Sequence, residues 1–194
     1  MKVCIGTNNK HKYIDYQEAF LKYAPEVELC CPADLNITDD PEEDHETLLG
    51  NAIKKAQFFA EKSGLTTIAD DTGLFVDALN GEPGLHTKRW HEGTDHDRCV
   101  KLLERLEDKD RSVEYKWGFA AYNPKEQKLW TFECEVKGNL LDKFGAEGGF
   151  GYDRVFKLIT MDKYYSELTR EELVQVGGRG MAMKELIFNS NFLK

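Results

Sequence analysis

The chain has 194 residues, 41% hydrophobic and 31% charged, a balance that excludes a disulfide-stapled mini-protein, a collagen, a coiled coil and a disordered segment. Its 26 Lys and Arg against 35 Asp and Glu give a net charge of -9, which opposes attraction to a nucleic acid polymer or an anionic membrane surface. A small polyanion stays open as a ligand, since local lysines or a bound cation reverse the potential inside a cleft.

The five cysteines form no Cys-x-x-Cys pair, so they read as reduced core thiols rather than a zinc ribbon or a disulfide framework. The opening MKVCIG run is too short for a secretory leader, and no stretch approaches the length of a membrane span. A cytoplasmic protein is expected, built as a single domain over residues 1–194, with no repeat or Gly/Ser/Pro linker to divide it.

Val3 to Ile5 reads as a short strand, followed by the polar turn Thr7-Asn8-Asn9 and a helix carrying Tyr13, Tyr16, Phe20 and Ala24 at helical spacing. Val27 to Cys31 fits a second strand, and residues 36–46 an acidic surface loop around Pro41. Ala52, Ile53, Ala56, Phe59 and Ala60 mark the inward stripe of a second helix that stops before Gly64. Thr66 to Ala69 enters another strand, expected to end at Asp70-Asp71. Strands alternating with helices predict an α/β sheet here.

Cys99, Leu102, Leu103 and Leu106 predict a helix. Beyond it Val113, Tyr115, Trp117, Phe119 and Ala121 alternate strictly, turn near Asn123-Pro124, and resume at Trp130, Phe132, Cys134 and Val136. That is a long antiparallel hairpin. Gly177-Gly178-Arg179-Gly180 reads as a flexible loop, and Met183, Leu186 and Ile187 as a closing helix. The expected class is α/β, an elongated mixed sheet with helices.

Several segments could carry chemistry. The turn Thr7 to Lys12 joins a strand to a helix N-terminus and is either a phosphate cradle or a helix capped by Asn9. Asp70 and Asp71 project different ways, so one could hold Mg²⁺ while the other handles water, or both could cap a turn. Glu43 is a further possible ligand from the acidic loop, and Lys55 could point at the same place. Lys88 and Arg89 follow a tight Asn-Gly-Glu-Pro-Gly turn that could aim them at a phosphate. Gly148 to Asp153 combines glycines with aromatics able to stack on a base, or is a plain glycine turn with core rings. Arg179 offers one guanidinium, an anion contact or an ordinary loop residue.

In this order the segments resemble the inosine triphosphate pyrophosphatase family. The pieces that carry the resemblance are Thr7-x-Asn9-x-x-Lys12, Asn51-Ala52-x-x-Lys55-Ala56, Ala69-Asp70-Asp71-Thr72-Gly73-Leu74-x-Val76-Asp77-Ala78-Leu79, Gly81-x-Pro83-Gly84 and Gly149-Phe150-Gly151-Tyr152-Asp153. The resemblance implies two lobes around a central nucleotide cleft, Mg²⁺ dependence, usually a homodimer, and hydrolysis of non-standard purine nucleoside triphosphates to monophosphate and pyrophosphate. Thr7, Asn9, Lys12 and the catalytic Lys55 would hold the triphosphate, Glu43, Asp70 and Asp71 the metal, and Asp71 would also orient or deprotonate water. Phe150 would stack on the base, with Tyr152 and Asp153 completing its pocket. Thr72, Lys88, Gly151 and Arg179 join them as substrate contacts.

The chain also departs from that pattern. Where members carry a lysine and then a Ser-His-Arg that read the purine edge, it has Leu173 and then Gly177-Gly178-Arg179. Arg154 stands for the usual proline and Thr87 for the usual serine. Loss of a hydroxyl, an imidazole and an ammonium relaxes or redirects base choice. Two alternatives therefore stay open: a pyrophosphatase specialised for a modified nucleotide, with room made by the glycines of 177–180, and a nucleotide-binding pseudoenzyme.

Overall fold

The computed structural model describes residues 1–193. In chain order the elements are β1 (Lys2–Ile5), α1 (Lys10–Tyr23), β2 (Glu28–Cys30), α2 (Leu48–Ser63), β3 (Thr67–Val76), β4 (Pro83–Gly84), α3 (Asp95–Leu106), β5 (Ser112–Asn123), β6 (Lys128–Leu140), β7 (Phe156–Leu158), β8 (Lys163–Tyr164), α4 (Arg170–Val176) and α5 (Gly178–Lys184). The strands form a mixed sheet in the order β2-β1-β3-β5-β6-β7-β8, with β4 paired to β3. β1 runs parallel to β2 and β3, whereas β7 is antiparallel to β6 and β8. The α/β class and mixed sheet expected from the sequence are present. No helix among the described residues is long and apolar enough to cross a membrane.

Two compact units divide the chain. The first holds residues 1–71, 117–134 and Arg170 onward. Its strand order β2-β1-β3 means that the chain leaves β1 to one side and returns on the other. Such a reversal opens a crevice at the carboxyl ends of the two central strands, where open α/β sheets bind ligands. β1 ends at Ile5, paired with Ile68, so Thr7 to Lys12 and Asp70-Asp71 both emerge at that end.

Alternation along β3 then sorts its neighbours. Ala69 packs with Ala52 and Ala56 of α2 and Ala120 of β5, and adjacent strand residues face opposite ways. Asp71 therefore shares the α2 face of the sheet, while Asp70 faces α1 and α5. Small residues let α2 come close: a Cβ on Gly118 would lie 2.4 Å from the Leu49 nitrogen, and one on Gly6 would lie 2.9 Å from the Phe59 ring. Thr47 caps α2 by accepting from the Gly50 N–H, and Gly64 ends it at a φ of 69°, which a glycine adopts without penalty. Cys4 and Cys30 are buried in this unit as free thiols, and burial pushes Cys4 up to about 12.

The second unit holds residues 72–116 and 135–169. Its core gathers Cys99, Leu102 and Leu106 of α3 with Tyr115, Phe156 and Leu158. The Tyr115, Phe156 and Tyr165 rings pack against one another with centroids 4.8 to 5.8 Å apart.

Two local expectations need correction. Asp70 to Gly73 is not a turn at a strand end: β3 runs straight through it to Val76, because Leu74 and Phe75 find ladder partners in Gly84 and Pro83. Nor is 177–180 a flexible loop, since Gly177 to Gly180 are all buried and Gly178 opens α5. Its glycines serve close packing. A Cβ on Gly178 would meet the Trp117 ring at 2.5 Å, and one on Gly180 would meet the Val174 carbonyl oxygen at 2.0 Å.

Candidate active site

At the carboxyl end of β1 the chain folds back on itself before entering α1. Thr7 Oγ1 accepts from the Asn9 N–H at 3.1 Å, and the Asn9 side-chain oxygen accepts from His11 and Lys12 at 2.9 and 3.4 Å. Asn9 is thus the N-cap of a 14-residue helix, which directs Lys12 back over β3.

There Lys12 meets Asp70, whose side chain is fully buried. Lys12 Nζ lies 2.8 Å from Asp70 Oδ2, and Tyr16, one turn further along α1, donates its hydroxyl to Oδ1 at 2.9 Å. From α5, Arg179 binds both oxygens, with Nε 3.3 Å from Oδ1 and Nη2 2.9 Å from Oδ2. Arg179 Nη1 reaches Asp15 at 3.0 Å. Burial opposes charge on Asp70, but Arg179 and Lys12 outweigh it and hold the carboxyl well below the usual carboxylate range. Lys12 moves the other way: burial, helped by Lys55 and Arg179, lowers it against the pull of Asp70. A buried ammonium of that kind gains from an incoming anion.

On the opposite face Asp71 meets α2. Asn51 Nδ2 donates to its Oδ2 at 2.9 Å, and Lys55 Nζ lies 3.3 Å from its Oδ1. The same ammonium binds Glu43 Oε1 at 2.7 Å. Burial disfavours the Lys55 charge, yet Asp71, Glu43 and Asp70 outweigh burial and raise its pKa above the ordinary lysine value. Two carboxylates converge on one cation here. Asn51 was part of a motif but carried no assigned role; an amide in the buried stripe of α2, one helical turn before a buried lysine, was the available signal. Tyr16 and Asp15 left no such signal, because Tyr16 falls in an apolar helix stripe and Asp15 beside it.

In the second unit the glycine-aromatic segment is a tight loop. Gly149 and Gly151 have φ of 66° and 63°, conformations that explain the glycines. Asp153 is tied to its own loop and to β5: Phe150 N–H donates to Oδ2 at 2.9 Å and Tyr115 donates its hydroxyl to Oδ1 at 3.1 Å. Asp95, at the start of α3, accepts from the Gly151 N–H at 2.7 Å. Tyr152 is 1% exposed and its hydroxyl reaches the Thr87 carbonyl at 3.4 Å. Phe150 stays half-buried, and Lys88 is exposed.

The sequence pattern of the Ham1 family matches residues 3–188. The chain belongs to the Ham1 family. This upholds the resemblance read from the motifs. The dITP/XTP pyrophosphatase of Thermoanaerobacter pseudethanolicus is 38% identical over 191 residues, 96% of this chain and 94% of that protein. That of Flavobacterium johnsoniae is 37% identical over 191 residues, 96% of each. Among solved structures, the Staphylococcus aureus Ham1 protein superposes with a TM-score of 0.82 at 30% identity, covering 98% of this chain and 100% of that one.

Within this Ham1 chain the structure brings the assigned residues into clusters. Lys12, Asp70 and Arg179 form one, and Glu43, Lys55 and Asp71 another, both in the first unit with Thr7 and Asn9 nearby in sequence. Phe150, Gly151, Tyr152 and Asp153 lie together in the second unit, where half-buried Thr72 and exposed Lys88 also belong. Arg179, which the resemblance implies as a substrate contact, binds Asp70 and Asp15 in this structure.

The donor chemistry also tests the fit of a magnesium ion. Among the described residues no three His, Cys, Asp or Glu side chains form a preformed cage. Mg²⁺ does not need one, because it takes one or two carboxylates, waters and substrate phosphate oxygens. Glu43 and Asp71 meet that description. Their side chains are 40% and 10% exposed, and they share a cation that a second positive charge would relieve. Asp70 fits poorly, with a side chain at 0% exposure and cations already on both oxygens.

Proposed function

We propose that this chain hydrolyses nucleoside triphosphates of non-standard purines, such as dITP, ITP and XTP, to monophosphate and pyrophosphate with Mg²⁺ as cofactor. The observation that carries the reading is the Glu43–Lys55–Asp71 cluster at the topological switch of the sheet, with Asn51 holding the second oxygen of Asp71. Lys55 and Lys12 supply positive charge for the triphosphate, and they approach from opposite faces of β3. Asp71, one oxygen held by an amide and the other by an ammonium, is oriented to accept a proton from water. Glu43 and Asp71 would hold the ion, which offsets the charge developing on the phosphates. The relatives named dITP/XTP pyrophosphatase support the purine class, and Phe150 is the ring the resemblance assigns to the base.

The specialist alternative rested on room created by glycines 177–180. At Gly178 and Gly180 that space is filled, because the Trp117 indole closes on the first and the Val174 carbonyl on the second. The test is pyrophosphate release with Mg²⁺ from dITP, XTP, ITP and the standard nucleotides. Preference for dITP or XTP by an order of magnitude is expected; turnover of none of them would sink the reading. The same resemblance proposes a cytoplasmic homodimer, which sedimentation at micromolar concentration checks for the oligomeric state.

A further inference from the structure

Asp70 lies beside Asp71, one of the proposed metal carboxylates, in sequence but is built differently. A carboxylate offers about four lone-pair directions, and the Asp70 oxygens already receive the Tyr16 hydroxyl, Arg179 Nε, Arg179 Nη2 and Lys12 Nζ, at 2.8 to 3.3 Å. Its side chain has no solvent exposure, whereas Mg²⁺ usually keeps several waters. Lys12 carries a flexible four-carbon stem whose immobilisation is entropically expensive. Anchoring it before substrate arrives removes that penalty from binding.

The partners of Asp70 complete the argument. Arg179 is a planar fork that binds Asp70 bidentately and Asp15 with its remaining nitrogen. Two carboxylates thus meet two cations, Asp15 and Asp70 against Lys12 and Arg179. When Lys12 engages a phosphate, Asp70 keeps Arg179 and is not left as a bare buried charge. Asp15 and Tyr16 both come from α1, the helix that bears Lys12, so they register that helix on β3 and α5.

We propose that Asp70 is a positioning residue: held by Tyr16 and by an Arg179 braced on Asp15, it fixes the Lys12 ammonium for a substrate phosphate instead of binding the metal. This rests on the reading of the corner as a triphosphate site and adds which side chains preorganise it.

The test uses the full chain and two probes. Inorganic tripolyphosphate is titrated by calorimetry in EDTA into wild type, Asp15→Asn, Tyr16→Phe, Lys12→Ala and the doubles with Lys12→Ala. Mn²⁺ is titrated by electron paramagnetic resonance into wild type, Asp70→Asn, Asp71→Asn and Glu43→Gln. Asp15→Asn and Tyr16→Phe are expected to weaken tripolyphosphate about 3- to 10-fold in the wild-type background and to add nothing once Lys12 is gone. Equal weakening in both backgrounds overturns the proposal, since Asp15 and Tyr16 then act by general support. Mn²⁺ affinity is expected to survive Asp70→Asn and to fall in Asp71→Asn and Glu43→Gln. Its loss in a folded Asp70→Asn makes Asp70 a ligand and overturns the proposal; if that variant fails to fold, the tripolyphosphate cycle decides. Wild type that binds tripolyphosphate yet hydrolyses no nucleotide with Mg²⁺ sinks the enzymatic reading alone, while failure to bind tripolyphosphate in EDTA beside normal Mg²⁺-dependent turnover overturns the proposal alone.

Discussion

Asp71 in the first unit and Asp153 in the second are both buried carboxylates in motifs of the same family, and their surroundings differ in kind. Asp71 is held by an amide and by an ammonium that it shares with Glu43. Asp153 is held by a tyrosine hydroxyl and by a backbone N–H of its own loop. The first arrangement shares one cation between two carboxylates, which substrate and metal would meet under the proposed function; the second is held by groups of its own unit. A site for a polyanion is built from groups that folding alone does not neutralise, whereas a loop that presents a ring is built from groups that folding satisfies.

The largest expected effect separates those roles. Asp71→Asn keeps the shape of the side chain but puts an NH2 donor against the Asn51 amide or the Lys55 ammonium, and it removes the proposed proton acceptor. It should lower kcat/KM for dITP by about 10²- to 10⁴-fold, the range of a general base, beside a loss of stability of about 1–3 kcal/mol from the broken buried hydrogen bond. Pyrophosphate release and a melting curve on the same preparation check it. Full turnover would place the acceptor elsewhere, Glu43 being the next carboxylate on Lys55.

Next comes a test of packing around Arg179. Gly178→Ala puts a methyl where the Trp117 ring lies 2.5 Å away, and overpacking of this kind costs about 1–3 kcal/mol. The same change in a Trp117→Ala background should cost far less, because the colliding ring is gone. Denaturant midpoints of the four proteins measure the coupling. Additive losses would mean that α5 shifts to absorb the methyl and that the glycines are not dictated by the indole.

Asp153→Asn sharpens the comparison from the other side. It offers one acceptor oxygen where the Phe150 N–H and the Tyr115 hydroxyl use two, and losing such a buried hydrogen bond costs about 1–3 kcal/mol. Stability should fall while the ratio of kcat/KM for dITP and dGTP stays within a few-fold. An unchanged melting temperature with altered base preference would assign Asp153 to the base after all.

How much of this was legible beforehand follows from the same contrast. The α1 and α2 stripes, the long hairpin and the carboxylates of residues 70 and 71 could be read because periodicity and motif spacing are local. The continuation of β3 past the strand end expected at Asp70-Asp71 could not, since the ladder with Pro83 and Gly84 that extends it is a tertiary fact. Gly177 to Gly180 looked like a loop for the same reason: glycine composition does not reveal that Trp117 and Val174 demand close approach. Tyr16 and Asp15 were hidden by a good helical pattern, in which a hydroxyl aimed at Asp70 is indistinguishable from a core ring.

The smallest effect is a pH signature within the charged half. Asp70 and Asp15 bind one guanidinium yet shift in opposite directions. For Asp15 burial wins over Arg179 and raises the carboxyl; for Asp70 burial loses to Arg179 and Lys12, and the carboxyl falls. By linkage, the lowered Asp70 stabilises the fold above its unfolded-state pKa, and that stability is lost as pH drops through the depressed folded value. The raised Asp15 acts with the reverse sign, contributing below its unfolded-state pKa and losing that contribution as pH rises through the folded one. Carboxyl carbon shifts followed by NMR should therefore show Asp15 protonating first on acidification, while Asp70 remains a carboxylate below pH about 4, the ordinary aspartate value. Denaturant midpoints over the same range should decline late rather than at that value. Simultaneous titration of the two would mean that Arg179 serves them equally, and the asymmetry that anchors Lys12 through Asp70 would lose its electrostatic basis.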